Sequence, residues 1–256
     1  MLTTEAAINF FNNVPIPRIS LKQAEAAQLM NRLDSKYVVP AGKITAIFEQ
    51  CIDNYQLVEI SDQVVMEYYS EYFDTPDQGM YLAHHNQRAN RYKIRIRTYR
   101  VSDDQFLEIK LKTANGKTKK KRITYNKIEG VTDEIRSFIS SNSTYSYENL
   151  VHNISTEFKR VTLVSKNFDE RITIDLDLKF ISASNQSVKI DEISIVELKR
   201  EKGNNINQVG YTLKKFGMRP GGFSKYSIGN ALLNPALKRN RFKRIILQIN
   251  KIIYDS

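Results

Sequence analysis

Arg91, Lys93, Arg95 and Arg97 stand two residues apart, and Lys110 with Lys112 and Lys120 with Arg122 repeat that spacing further along. On an extended strand the spacing puts every member on one face. Guanidinium groups fork onto pairs of anionic oxygens, and ammonium groups act as point charges. Such rows suit a polyanion. Glu108, Asp175 and Glu197 are single carboxylates on segments that alternate in the same way. Three histidines and one cysteine do not make a zinc site. His84 and His85 are adjacent and read as polar groups of a loop, and Cys51 as a small core residue. A metal here would be held by carboxylates, which favours magnesium or manganese.

The elements that must position these groups follow from apolar periodicity. In 91–99, Tyr92, Ile94 and Ile96 alternate with the basic row; in 106–112, Leu107, Ile109 and Leu111 alternate with Glu108, Lys110 and Lys112. In 119–125, Ile123 and Tyr125 oppose Lys120, Arg122 and Thr124. Ser102-Asp103-Asp104 and Asn115-Gly116 read as the turns of a three-stranded meander. In 170–180, Ile172, Ile174, Leu176, Leu178 and Phe180 oppose Arg171, Thr173, Asp175, Asp177 and Lys179. Segments 32–39, 64–73, 158–166 and 193–199 bring the total to about eight strands. Helical spacing fits 20–30, 42–52, 132–140, 204–216, 225–233 and 238–254. The class is α+β with a mainly antiparallel sheet. Rolling that sheet with its charged face inward predicts a closed β-barrel tunnel with a polar, basic lumen and helices packed outside. An empty lumen of that kind is unstable, so a polyanion or counter-ions must fill it.

The 256 residues carry a net charge of +11. Residues 88–122 hold 13 basic and 3 acidic side chains, residues 234–256 hold 6 and 1, and the remainder nets −4. The 41% hydrophobic content excludes a disordered basic tail. A lone cysteine fits a reducing compartment, and the first ten residues do not read as a secretory signal. No apolar run approaches the roughly 18 residues of a membrane span. The expectation is a cytoplasmic protein with one domain over 1–233 and a basic amphipathic helix over 234–256. That helix carries Phe242, Ile245, Ile246, Ile249, Ile252 and Ile253 at helical spacing, with Lys238, Arg239, Arg241, Lys243 and Arg244 among them. It reads first as a helix packed on the body or on another subunit, and second as peripheral contact with the inner face of a membrane.

Arg32-Leu33-Asp34-Ser35-Lys36-Tyr37, Tyr72-Phe73-Asp74-Thr75-Pro76-Asp77 and Met80-Tyr81 with His84-His85 resemble the vacuolar transporter chaperone (VTC) domain family. Arg91 to Tyr99, Leu107-Glu108-Ile109-Lys110, Gly116-Lys117 with Lys120 to Arg122, Val196-Glu197-Leu198-Lys199 and Phe223-Ser224-Lys225-Tyr226 continue the match in the family's order, over roughly 28–232. The resemblance implies the triphosphate tunnel metalloenzyme fold, an eight-stranded antiparallel tunnel, and a polymerase making inorganic polyphosphate from ATP. It implies Arg95, Arg97, Lys110 and Arg160 as catalytic cations. Lys36, Lys120, Arg171, Lys225 and the hydroxyl of Ser224 follow as substrate ligands, joined by Arg122 and Lys199 on the same faces. It implies Glu197 as the carboxylate that holds manganese or magnesium. Phe158 stands where the fungal polymerases carry a tyrosine near the nucleotide.

Two other readings stay open. Water as nucleophile would make a tripolyphosphatase or nucleoside triphosphatase, whose opening strand is typically Glu-x-Glu-x-Lys; here it reads Arg32, Asp34, Lys36. A non-catalytic binder of polyphosphate or nucleic acid is the third. Tyr92, Tyr99 and Tyr125 read as core on the apolar face, and no nucleic-acid motif is visible.

Overall fold

Eight antiparallel strands form the main path of one eleven-stranded sheet, and its curvature decides which side chains meet. The structure is a computed structural model and describes residues 4–25, 32–201 and 208–255. The strands are β1 (Arg18–Ser20), β2 (Arg32–Pro40), β3 (Tyr55–Glu59), β4 (Val65–Asp74), β5 (Arg91–Tyr99) and β6 (Asp104–Lys112). They continue with β7 (Thr118–Thr124), β8 (Val151–Ser165), β9 (Glu170–Ser182), β10 (Ser187–Ile190) and β11 (Ile193–Glu201). The helices are α1 (Thr4–Asn13), α2 (Leu21–Glu25), α3 (Ile44–Glu49), α4 (Gly79–His85), α5 (Asp133–Asn142), α6 (Gln208–Lys215), α7 (Lys225–Leu233) and α8 (Lys243–Tyr254). The main path runs β2-β11-β9-β8-β4-β5-β6-β7; β3 and β10 add to β8 and β9, and β1 to β3. Parts of the helical segments 20–30 and 204–216 lie outside the described residues.

The α+β class and the eight antiparallel strands agree with the sequence reading, but the barrel is not closed. Among the described residues β2 and β7, the two ends of the path, do not pair with each other. Both edges are occupied by other means. β7 carries Lys119, Lys120, Lys121 and Arg122, all exposed, and charge of one sign blunts an edge strand. On β2 the backbone N–H of Gly221 donates to the carbonyl of Lys36 at 2.7 Å, so the chain leading into α7 lies along that free edge.

On the convex face, Tyr37, Val39, Val161, Leu163, Ile172, Ile174, Leu176 and Val196 pack against Phe11 of α1, Ile44, Ile47 and Phe48 of α3, and Val209 and Leu213 of α6. Ile94, Ile96, Leu107 and Ile109 pack against Ile135 and Ile139 of α5. These positions bear out the inward turn of the basic rows.

α7 departs from the expectation that helices lie outside. Its Tyr226, Ile228 and Ala231 pack against Ile154, Phe158, Leu178 and Phe180. Those residues share a face with the basic row: Arg97 pairs with Ser70, Ser70 with Thr156, and Thr156 with Phe180, and paired residues point to the same side. Helix α7 therefore fills part of the concavity. The strict alternation read over 170–180 put Phe180 with Ile172 instead. A β-bulge at Phe158 overturns it. Glu157 pairs with Lys179 and Lys159 with Leu176, so Asp177 and Leu178 together oppose Phe158, and Asp177 takes φ of 54°. One extra residue reverses the phase of everything beyond it. Asp177 and Lys179 thereby leave the lumen side.

α8 packs on the same core as α7 through Phe242 and Ile249, both buried, with Ile245, Ile246 and Ile252 at the margin. The Gln248 side-chain amide donates to the Val38 carbonyl at 3.3 Å. Among the described residues no helix is long and apolar enough to cross a membrane. α4 lies outside the helical segments expected from sequence; it carries His84 and His85, which are helical and not loop groups.

Candidate functional site

The concave face gathers cations from seven strands and the start of α7, and each of its three central carboxylates lies between two cations. Glu108 on β6 meets Arg95 of β5 at 2.5 Å and Lys120 of β7 at 2.5 Å. Asp175 on β9 receives the fork of Arg160 from β8, Nε at 2.5 Å and Nη2 at 2.9 Å, and also Lys225 at the first turn of α7. Glu197 on β11 has Lys36 of β2 at 3.6 Å and Lys199 at 3.4 Å. Lys93, Arg97 and Lys110 belong to the same face, and among the described residues none of them is paired with a carboxylate. Lys93 donates to Ser224 Oγ at 2.7 Å, and Arg97 Nε to Ser70 Oγ at 3.3 Å.

The backbone explains these meetings. Residues i and i+2 share a face along each strand, and register carries the face across the sheet: Arg95 pairs with Glu108, Lys110 with Lys120, and Lys36 with Glu197. Curvature brings the two ends of the path together, so that Lys36 of β2 faces Lys110 of β6 although neither strand pairs with the other. α7 is anchored at its start: Ser224 is its N-cap, accepting from Ser227 N, and Tyr226 Oη donates to the buried carboxylate of Asp74.

An aromatic wall lies under two of the guanidinium groups. Tyr68 stacks on Phe158 with ring centres 5.2 Å apart and 9° between planes, and Tyr99 sits 5.1 Å from Tyr68. Arg160 lies 5.2 Å from both Tyr68 and Phe158, Arg97 5.4 Å from Tyr68, and Lys225 4.0 Å from Phe158. Such contacts hold a cation's orientation without neutralising it. Tyr99, expected as core on the apolar face, lies on the basic face instead, since it pairs with Tyr68. Tyr92 and Tyr125 do pack with the α5 core.

Electrostatics fix the charge states. Burial works against the charge on Glu108, yet Arg95, Arg97 and Lys120 outweigh it and hold the carboxyl down to about 2. Glu197 is likewise held down to about 2, by Lys36, Lys199 and Arg160 against its burial. Asp175 is held well below the usual carboxylate range by Arg160 and Lys225, again against burial. Lys93 moves the other way. Burial lowers its pKa, and Lys110, Lys36, Arg95 and Arg91 lower it further. At the same end of the groove, burial and then Lys93, Arg91, Lys112 and Lys110 push His84 down to about 3, so its ring is neutral.

Of the residues expected from sequence, Lys36, Arg95, Arg97, Lys110, Lys120, Arg160, Glu197, Lys199, Ser224 and Lys225 come together here. Arg171 stands opposite Lys199 in register on the same face. Arg122 shares the face of Glu108 and lies 4.7 Å over the ring of Phe106, toward the exposed β7 edge. Sequence reasoning did not assign Lys93 or the wall of Tyr68 and Tyr99. Counting in steps of two from Arg95 reaches both Lys93 and Tyr99, so that signal was present.

Glu197 is the carboxylate best fitted to a divalent ion. Its side chain is 17% exposed against 2% for Glu108 and 3% for Asp175, and its contacts to lysine are the longest of the three. Among the described residues no group of three or more His, Cys, Asp or Glu could hold a metal. One carboxylate suits magnesium or manganese when phosphate oxygens supply other ligands.

Residues 31–234 match the model of the VTC domain family. No curated protein matches the chain. Among solved structures, a protein assigned as an adenylate cyclase from Bacillus halodurans is 14% identical, with 76% of this chain and 94% of that one covered and a TM-score of 0.48. A Hippeastrum protein for which a dominant triphosphatase activity is described is 10% identical, with 79% and 96% covered and a TM-score of 0.47. A conserved hypothetical protein from Pyrococcus furiosus is 10% identical, with 74% and 92% covered and a TM-score of 0.42. Likenesses at these values carry no statement about what this chain does. The family match, which spans most of the chain and every residue of the concave basic site, is of another order: this protein belongs to the VTC domain family.

Proposed function

We propose that this protein is a polyphosphate polymerase that transfers the γ-phosphate of ATP to the end of a growing polyphosphate chain and releases ADP. The observation that carries the reading is the pairing of the three central carboxylates. Each is ionised and engaged by two cations, while Lys93, Arg97 and Lys110 keep their charge-pairing capacity for a ligand. The groove is thus organised for phosphate oxygens, and among the described residues each carboxylate at its centre is engaged by cations and not set to activate water. A phosphate-chain terminus is already anionic and needs no general base to attack.

In this mechanism Arg95 and Arg97 fork onto phosphate oxygens, with Arg95 locked by Glu108 and by the Tyr72 hydroxyl at 2.9 Å. Arg160 is fixed by Asp175 and by the rings beneath it, so its free edge is already oriented when phosphate arrives. Lys36, Lys110, Lys120, Lys199 and Lys225 spread the remaining negative charge, with Arg122 and Arg171 toward the rims. Glu197 would hold a magnesium or manganese ion together with phosphate oxygens, and the ion supplies neutralisation of charge on the transferring group. The packing of Phe242 and Ile249 supports reading α8 as part of the body and not as a membrane anchor. The proposed partners are ATP and inorganic polyphosphate, with a cytoplasmic site of action.

Incubation of pure protein with ATP and manganese, read on a polyphosphate gel, tests this. Long polyphosphate supports the polymerase. Free phosphate alone makes it a triphosphatase, and unchanged ATP with tight polyphosphate binding makes it a binder. Arg95→Ala and Arg97→Ala are the controls that tie any product to this site.

A further inference from the structure

We infer that Lys93 is a further phosphate-binding residue of this site, one that gains a proton as the polyanion binds beside Ser224. The inference rests on reading the concave face as a polyphosphate site. Among the described residues Lys93 is the one lysine of that face whose Nζ meets a hydroxyl, Ser224 Oγ at 2.7 Å, where Lys36, Lys120, Lys199 and Lys225 each meet a carboxylate. After burial, the strongest influences on it all favour loss of its proton: Lys110 on β6, Lys36 on β2, and Arg95 and Arg91 on β5; the His84 ring on α4 lies beside the same group of cations. From α7 it meets only Ser224, and that helix start adds positive potential of its own.

The Ser224 hydroxyl fits both states of Lys93. It accepts from Ser227 N at 3.3 Å and lies 3.2 Å from Ser227 Oγ, so it receives an N–H of Lys93 and passes its own hydrogen on. A phosphate entering between Lys93, Lys110 and Lys36 reverses the sign of the local field. The amine then takes a proton from solvent and pairs with the phosphate as an ammonium; no bond between heavy atoms forms or breaks. By linkage, a ligand that recruits a proton binds more tightly as pH falls, and the protein discriminates in favour of densely charged chains.

The test is calorimetric titration of the full chain with metal-free tripolyphosphate at pH 8, in buffers of different ionisation heat. Wild type should take up measurably more protons per ligand than Lys93→Arg, whose guanidinium is charged throughout. Lys93→Met should lose the same uptake and bind roughly tenfold or more weakly, and it serves if the arginine variant does not fold. Equal uptake in wild type and both variants overturns the inference, as does a difference that disappears in His84→Gln. Binding with no difference in uptake leaves the polyphosphate reading standing without Lys93. Absence of tripolyphosphate binding by wild type overturns that reading and this inference together.

Discussion

Phe158 on β8 stands opposite two residues of β9, Asp177 and Leu178, and the left-handed backbone of Asp177 is what turns Leu178 and Phe180 into the groove. Of the lysines that hold Asp177, Lys189 at 3.0 Å is exposed and Lys159 at 3.2 Å is partly so, and such solvent-screened pairs contribute little. The backbone is therefore the sensitive feature. Asp177→Val should cost about 1–2 kcal/mol, because a β-branched residue resists positive φ, whereas Asp177→Gly should be close to neutral. Urea midpoints of the two variants check this, and equal midpoints would contradict it.

Gly229 lets α7 approach the sheet closely. A Cβ there would stand 2.5 Å from Phe180 Cδ1 and 2.7 Å from Ile154 Cδ1, both in fully packed side chains. Gly229→Ala should destabilise the fold by about 1–3 kcal/mol through overpacking. Because the same helix carries Lys225 and is capped by Ser224, the variant should also bind tripolyphosphate more weakly. Thermal melts with and without ligand separate the two effects.

Arg97 is tied to protein by one long hydrogen bond and a ring, so most of its interaction capacity is left for substrate. Arg97→Ala should lower kcat on the order of 10²- to 10³-fold with little loss of stability. Arg97→Lys should recover only a small part, since a lysine cannot fork. Turnover of ATP under saturating metal is the measurement; full recovery by lysine would rule out a bidentate role.

Glu197→Gln keeps shape and removes charge from the carboxylate that stands between Lys36 and Lys199. Manganese-dependent turnover should be lost while metal-free tripolyphosphate binds at least as tightly, because the site becomes more positive. Unchanged metal activation would remove Glu197 from the metal role.

Glu170 lies outside the groove, buried at 2% exposure, with Tyr55 Oη donating to it at 2.5 Å. Burial raises its carboxyl from 4.5 to about 7, the Asp169 charge adding to the rise and Tyr55 and Arg200 opposing it. The folded state thus holds this proton more tightly than the unfolded chain. The resulting stability is full below pH 4.5 and is lost as pH rises through about 7. Relative to Glu170→Gln, wild type should lose up to roughly 3 kcal/mol across that window. Chemical denaturation at several pH values gives the slope, and parallel curves for the two proteins would refute it.

Period-two alternation by itself determined that Arg95, Arg97, Lys110, Lys120 and Glu108 share one face of a meander and that Ile94, Ile96, Leu107 and Ile109 share the other. Side-chain direction along a strand is local, so sequence suffices for it. Tertiary structure decided the rest. A single left-handed residue, Asp177, shifted the phase of β9, and no periodic pattern announces a bulge of one residue. The free edge of β2 drew the chain at Gly221 alongside it and so carried α7 into the concavity instead of onto the outside. Strand pairing sets Arg95 beside Glu108, Arg160 beside Asp175 and Lys36 beside Glu197, and the entry of α7 into the concavity leaves Lys93 facing a serine. Those contacts join residues as far apart as Lys36 and Glu197 or Lys93 and Ser224, and only the folded sheet sets their distance.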